Sequence, residues 1–153
     1  MRGRAVHLRM VEVPGINMRL PNRRTWFAIL TAAAVIVILF LCLSPFRFSI
    51  RNGNINAIGA LVGSWAKPLQ PIDFVLNIAL YIPLGVFGAL SSPRRQRPLR
   101  GVAILTAGGA LLSIAIELAQ YFDAARYTAA SDVYANVLGT YFGAAAVAVL
   151  FRR

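Results

Sequence analysis

The sequence predicts an all-α, polytopic membrane protein with about four transmembrane helices and both termini on the cytoplasmic side. Three observations predict it. The chain is 58% hydrophobic and only 14% charged, with a mean hydropathy of +0.65, whereas a soluble domain is about 45–50% apolar and about 25% charged. Its apolar residues gather in long runs separated by short polar stretches. Its Lys and Arg, which give a formal net charge of +11, flank those runs instead of lining one soluble face. Anionic lipid headgroups account for such flanking charge at about 1 kcal/mol per residue, so membrane lipids are the expected partner and nucleic acid is not.

Residues 1–24 read as a basic cytoplasmic tail, and residues 25–151 as the transmembrane domain. The tail carries Arg2, Arg4, Arg9, Arg19, Arg23 and Arg24, and Pro14, Gly15 and Pro21 interrupt any helix in it. Met10 and Met18 are alternative starts, and His7 is a solvated residue without a partner for metal or catalytic work.

Trp26 to Leu43 is the first apolar run. At about 1.5 Å per residue it approaches a hydrocarbon core of about 30 Å. It is long for a signal-peptide core, and Ser44-Pro45-Phe46-Arg47 offers no small-x-small cleavage site, so a retained helix is expected. Trp26 and Phe46 then mark the two interfaces. In the connection from Ser44 to Pro71, Asn52-Gly53-Asn54 marks a turn. Ile55, Ile58, Leu61, Val62 and Trp65 then recur at helical spacing, as in a short helix lying in the interface.

The second membrane helix covers Phe74 to Leu90, with Pro71 and Asp73 as a capped start. Pro83 falls about 15 Å along it, near the midplane, and kinks it; Gly85 and Gly88 allow close backbone approach there. Pro93 to Arg100 is a basic loop, Gly101 to Tyr121 the third helix, Phe122 to Ser131 a polar loop, and Asp132 to Phe151 the fourth helix. Arginines crowd the tail, the Pro93–Arg100 loop and the C-terminus. The positive-inside rule therefore places those segments in the cytoplasm.

The chain has only five Asp and Glu. An acidic residue in the middle of a membrane helix costs about 2.5–3.5 kcal/mol on insertion scales, so their positions carry information. Asp73 and Asn77 share a helix face, with Tyr81 one turn deeper; Asp132 and Asn136 share another, with Thr140 below. Glu117 and Gln120 are three apart, with Ser113 further in. Each pair sits in the outer half of its helix and is expected to face the others, because lipid cannot satisfy such groups. Glu117 is the deepest carboxylate, and Arg126 is the counter-charge for Glu117 or Asp132; Asp123 reads as a solvated loop residue. Ala135, Gly139 and Gly143 form a small-xxx-small ridge for packing against a helix of the same chain or of a second copy. Cys42, the sole cysteine, packs in an apolar run and excludes an intrachain disulfide.

These residues carry a resemblance. Asp73-Phe-Val-Leu-Asn77-Ile-Ala-Leu-Tyr81-Ile-Pro83-Leu-Gly85 is similar to the D-x-x-x-N … P-L-G signature of the VanZ-like family. Glu117-Leu-Ala-Gln120, Arg126, and Ser131-Asp132-Val-Tyr-Ala-Asn136-Val-Leu-Gly139-Thr-Tyr-Phe-Gly143 resemble its second half. The resemblance implies a small bacterial cell-membrane protein with an envelope role, in a family named for a member linked to teicoplanin resistance. Where family members often carry D-K-x-x-H at the end of their first helix, this chain has Leu43-Ser-Pro-Phe-Arg-Phe48, without Asp or His.

Three functions compete. The first is binding of an amphiphile, such as a lipid-linked envelope precursor or a lipophilic glycopeptide, at the outer polar site. The second is an intramembrane enzyme in which Asp73, Glu117 and Asp132 act as acid and base on a lipid headgroup or hold a hard cation. The third is a small transporter, which would need a homo-oligomer. No cofactor is implied: the sequence has no phosphate-binding loop, dinucleotide fingerprint, Ser-His-Asp set or HExxH motif.

Overall fold

A computed structural model describes residues 22–50, 56–66, 68, 70–92 and 98–151. Residues 1–21 of the basic tail, with His7, the Asn52-Gly53-Asn54 turn, Lys67, the arginines at 94, 95 and 97, and the last two arginines lie outside those residues, whereas Arg23 and Arg24, read as tail, open the first helix behind the Asn22 cap. The described chain is all-helical: α1 Arg23–Leu43, α2 Ala57–Gly63 followed by a 3-10 turn Ser64–Ala66, α3 Pro71–Ser91, α4 Pro98–Gln120 and α5 Ala130–Leu150. Four of these, α1, α3, α4 and α5, are long and apolar enough to cross a membrane. At about 1.5 Å per residue each extends for roughly 31–35 Å.

The ends of the helices follow local chemistry. Asn22 caps α1 by accepting the Thr25 N–H at 3.0 Å, and Asn56 caps α2 by accepting the Gly59 N–H at 2.7 Å. Pro71 occupies the first turn of α3, where no N–H is required. Asp73 therefore lies inside the first turn and is not the cap; no side chain caps this helix. The helix continues through Pro83. α4 starts three residues before Gly101, because Pro98 opens it, so Arg100 belongs to a helix and not to a loop.

α3 is the central helix, packed against α1, α4 and, most extensively, α5. α3 and α5 run parallel: Gly139 lies against the Ile78 carbonyl, and one turn further on Gly143 lies against that of Ile82. Gly85 in turn sits against the backbone of Thr140 and Ala144. The small-residue ridge is thus spent within the chain and is not free to join a second copy. Gly109 makes room for the Thr140 side chain, whereas Gly108 faces open space.

The apolar core is small. Ile38, Tyr81, Leu84 and Ile116 are buried where α1, α3 and α4 meet, with Leu39, Cys42, Leu80 and Leu112 around them. Large apolar side chains such as Ile36, Phe40, Leu111 and Val149 point outward. This inversion suits a chain whose solvent is hydrocarbon.

Candidate functional site

The polar side chains gather at one end of the bundle, where α1 and α4 end and α3 and α5 begin. Glu117 is the centre. It lies one turn from the end of α4 and is 2% exposed. Its Oε2 accepts the Ala129 N–H at 2.8 Å, and its carbonyl accepts the Thr128 hydroxyl at 3.2 Å. It therefore holds the loop that leads into α5. The next residue, Ala130, donates its N–H to the Ser64 hydroxyl at 2.8 Å, which ties the 3-10 turn after α2 to the start of α5. Trp65 packs edge-on against Tyr134, their centroids 5.1 Å apart, and reinforces that junction.

Below Glu117 the polar file continues inward. Asn136 Nδ2 donates to Ser113 Oγ at 2.8 Å, and Thr140 Oγ1 donates to the Asn136 carbonyl at 2.9 Å. All of these side chains are fully or almost fully buried. Two of their atoms have no partner. The Tyr81 hydroxyl lies beside Ser113 without a well-formed hydrogen bond, and Asn136 Oδ1 accepts nothing. Buried polar atoms are paired in the great majority of cases; a third unpaired one among the described residues, Thr106 Oγ1, lies two turns along α4 from Ser113.

The rim of the site differs from the sequence expectation. Arg126 forms no ion pair with Glu117 or Asp132. Its Nε donates to the Ser44 carbonyl at 3.0 Å and its Nη2 to the Leu41 carbonyl at 2.8 Å. The last carbonyls of a helix lack intrahelical partners and attract cations. Arg126 satisfies that demand at the end of α1, and Gln120 Nε2 adds a bond to the Cys42 carbonyl at 2.8 Å. Asp123 is not solvated but fully buried. Its Oδ1 accepts the Ala125 N–H two residues on, and its Oδ2 accepts the Arg47 N–H at 3.2 Å. An Asp that follows a helix end and folds back on its own backbone is an Asx-turn, the signal in Gln120–Arg126 that could have revealed this role. The Arg47–Ser49 backbone is fixed alongside it through Ser49 N–H to the Phe122 carbonyl and Ala124 N–H to the Arg47 carbonyl.

The three carboxylates of the membrane helices do not converge. Asp132 is half-buried; it accepts the Ser131 hydroxyl at 3.3 Å, and Asn77 of α3 interacts with the same carboxylate. Asp73 is exposed. Among the described residues, no group of three or more His, Cys, Asp or Glu is placed to hold a metal ion. The cation site considered for Asp73, Glu117 and Asp132 is therefore not assembled. Ser64 and Thr128 are site residues that sequence reasoning missed, and Asp123 and Arg126 are ones whose partners it misplaced.

Four membrane-spanning helices around a buried polar site at one end define a multi-pass helical membrane protein. The VanZ/LLP1 family matches the chain over residues 26–152, and the chain belongs to that family. No curated protein and no solved structure matches it.

Proposed function

We propose that the site binds the polar part of an amphiphilic envelope molecule, a lipid-linked precursor or a lipophilic glycopeptide, in the outer half of a bacterial inner membrane. The observation that carries this reading is the unpaired polarity around Glu117. Side chains that serve only as glue between helices satisfy one another, yet among the described residues the buried Glu117 carboxylate forms no ion pair and both Tyr81 Oη and Asn136 Oδ1 lack partners. An unpaired buried polar group costs about 1–3 kcal/mol, a cost that a ligand with matching donors and acceptors offsets on binding. The arginine distribution supports cytoplasmic termini by the positive-inside rule, an orientation in which this end of the bundle faces outward. Teicoplanin is an amphiphile of this kind, and the family takes its name from a member linked to resistance to it.

The test is native mass spectrometry of the protein released from its own membranes, wild type beside Glu117→Gln and Asp132→Asn. The glutamine keeps an oxygen to accept the Ala129 N–H, so the fold should persist while the charge is lost. A specific amphiphile mass on wild type that disappears from both variants is the expected result. Equal adducts on all three proteins, or none on any, would overturn the reading.

A further inference from the structure

A second feature lies on the membrane face of the bundle, between α1 and α3. It is a groove of about 510 Å³ lined by Leu30, Ala33, Ala34 and Val37 of α1 and by Leu76, Ala79, Leu80, Pro83 and Phe87 of α3. Every lining residue is apolar. The alanines leave unfilled the depth that Leu or Ile would take.

The groove has an outer end. Asp73, Leu76, Leu80, Pro83 and Phe87 recur at alternating steps of three and four, so they form one stripe along α3, with exposed Asp73 at its outer limit. Across from it, α1 ends at Leu41–Ser44, whose carbonyls hold Arg126. Neither residue lines the groove, but the ends of the two helices that wall it carry one anionic and one cationic side chain, Asp73 on α3 and Arg126 held at the end of α1. Leu80 belongs both to the groove wall and to the packing around Cys42 and Ile116. It is the partition between the groove and the interior beneath Glu117. From Leu76 to Phe87 the groove runs about 16 Å at the helical rise, about half of a 30 Å hydrocarbon core, which is the depth of one leaflet.

We propose that this groove takes the hydrocarbon chain of an outer-leaflet amphiphile with a zwitterionic headgroup, the ammonium meeting Asp73 and the phosphate meeting Arg126. The proposal rests on the amphiphile-binding reading above and adds where the chain lies and what charge the head carries. One leaflet's depth, an all-apolar lining and opposite charges at the ends of its two helices select a single-chain lipid over a helix from a second copy, which would have to run the full span and would bury Asp73.

The probe is a single-chain lysophosphatidylethanolamine with a diazirine in its acyl chain, photolysed with the full-length protein in bilayer nanodiscs and mapped by peptide mass spectrometry. The expected label falls on the groove residues of α1 and α3. It drops about tenfold when Ala33→Leu and Ala79→Leu together fill the groove, and severalfold in Asp73→Asn and in Arg126→Lys. The alanines and Asp73 are exposed, so these replacements leave the interior packing alone; an unchanged thermal midpoint in the Ala33→Leu/Ala79→Leu variant verifies it. Groove label that is indifferent to the Asp73 and Arg126 variants marks ordinary annular lipid and overturns the proposal. So does a cross-linked dimer through the groove. Label confined to peptides around Glu117 and lost in Glu117→Gln overturns the groove alone and leaves the amphiphile site standing. No label at either place, with no adduct in native mass spectrometry, removes both.

Discussion

Gly85 sits where α3 and α5 approach most closely, and replacing it with alanine tests that geometry. A Cβ built on Gly85 would lie 2.8 Å from the Ala144 nitrogen and nearer still to the Thr140 carbonyl oxygen. Both are backbone atoms, which cannot rotate away as a flexible side chain can. The helices must separate, and overpacking of this kind costs about 1–3 kcal/mol. Alanine recovers about 0.5–1 kcal/mol of helix propensity against glycine, which leaves a net loss of about 1–2 kcal/mol. In a chain of this size 1 kcal/mol moves the thermal midpoint by about 2–4 °C, so Gly85→Ala should unfold roughly 2–8 °C earlier. Gly108→Ala is the internal control: its Cβ meets nothing within 4 Å. That variant keeps the propensity gain and should unfold a few degrees later. The assay is thermal unfolding in one mild detergent, followed by far-ultraviolet circular dichroism. Shifts of the same sign and size in both variants would refute the close α3–α5 contact.

Two further outcomes follow from the site. Tyr81→Phe removes a buried hydroxyl that has no well-formed partner, so it should leave the empty protein as stable or raise its midpoint by a few degrees while reducing amphiphile capture; a lower midpoint would show that the hydroxyl is bonded. Arg126→Lys exchanges a planar fork that bonds the Ser44 and Leu41 carbonyls for a point charge. Loss of one charge-assisted bond of about 1.5–3 kcal/mol, at the lower end because Arg126 is half-exposed, should speed amide exchange at Leu41–Ser44 and leave the Gly139 contact protected. Uniform loss of protection through the bundle would argue against a local latch.

The spans were legible because hydrocarbon demands long uninterrupted apolar helices, and no soluble fold produces that pattern. The polar pairs were legible for the same reason, since acids in such helices are costly. What the sequence could not convey was direction within the bundle. Asp73-x-x-x-Asn77 and Asp132-x-x-x-Asn136 look alike, yet Asn136 is buried against Ser113 whereas Asp73 is exposed and Asn77 reaches the half-buried Asp132. Arg126 looked like a partner for carboxylates because opposite charges were the visible feature. The end of α1, with its unbonded carbonyls, was the stronger demand and became visible only when the helices were assembled. Asp123 was misplaced similarly: a loop Asp is usually hydrated, but this one organises the backbone of Arg47 and Ala125.

The two Asp-Asn helices lie parallel and side by side, so their different fates need a cause, and their neighbours supply it. α5 lies against α4, which offers Ser113 to Asn136 and Glu117 to the loop before α5. α3 also lies against α1, where Val37 lines the groove between them and Ile38 and Leu39 join the apolar core. The two helices thus border a polar interior on one side and an apolar groove, with exposed Asp73 beyond its end, on the other. An amphiphile is the kind of molecule that needs both surfaces. This division also makes the proposal divisible by experiment. Changes at Glu117 act on the polar interior, changes at Ala33 and Ala79 act on the groove, and Asp73 stands on the boundary. If head and chain are held together, Glu117→Gln and Ala33→Leu/Ala79→Leu should each lower capture of the same molecule, and combining them should cost less than the sum of the two, because either change already releases it.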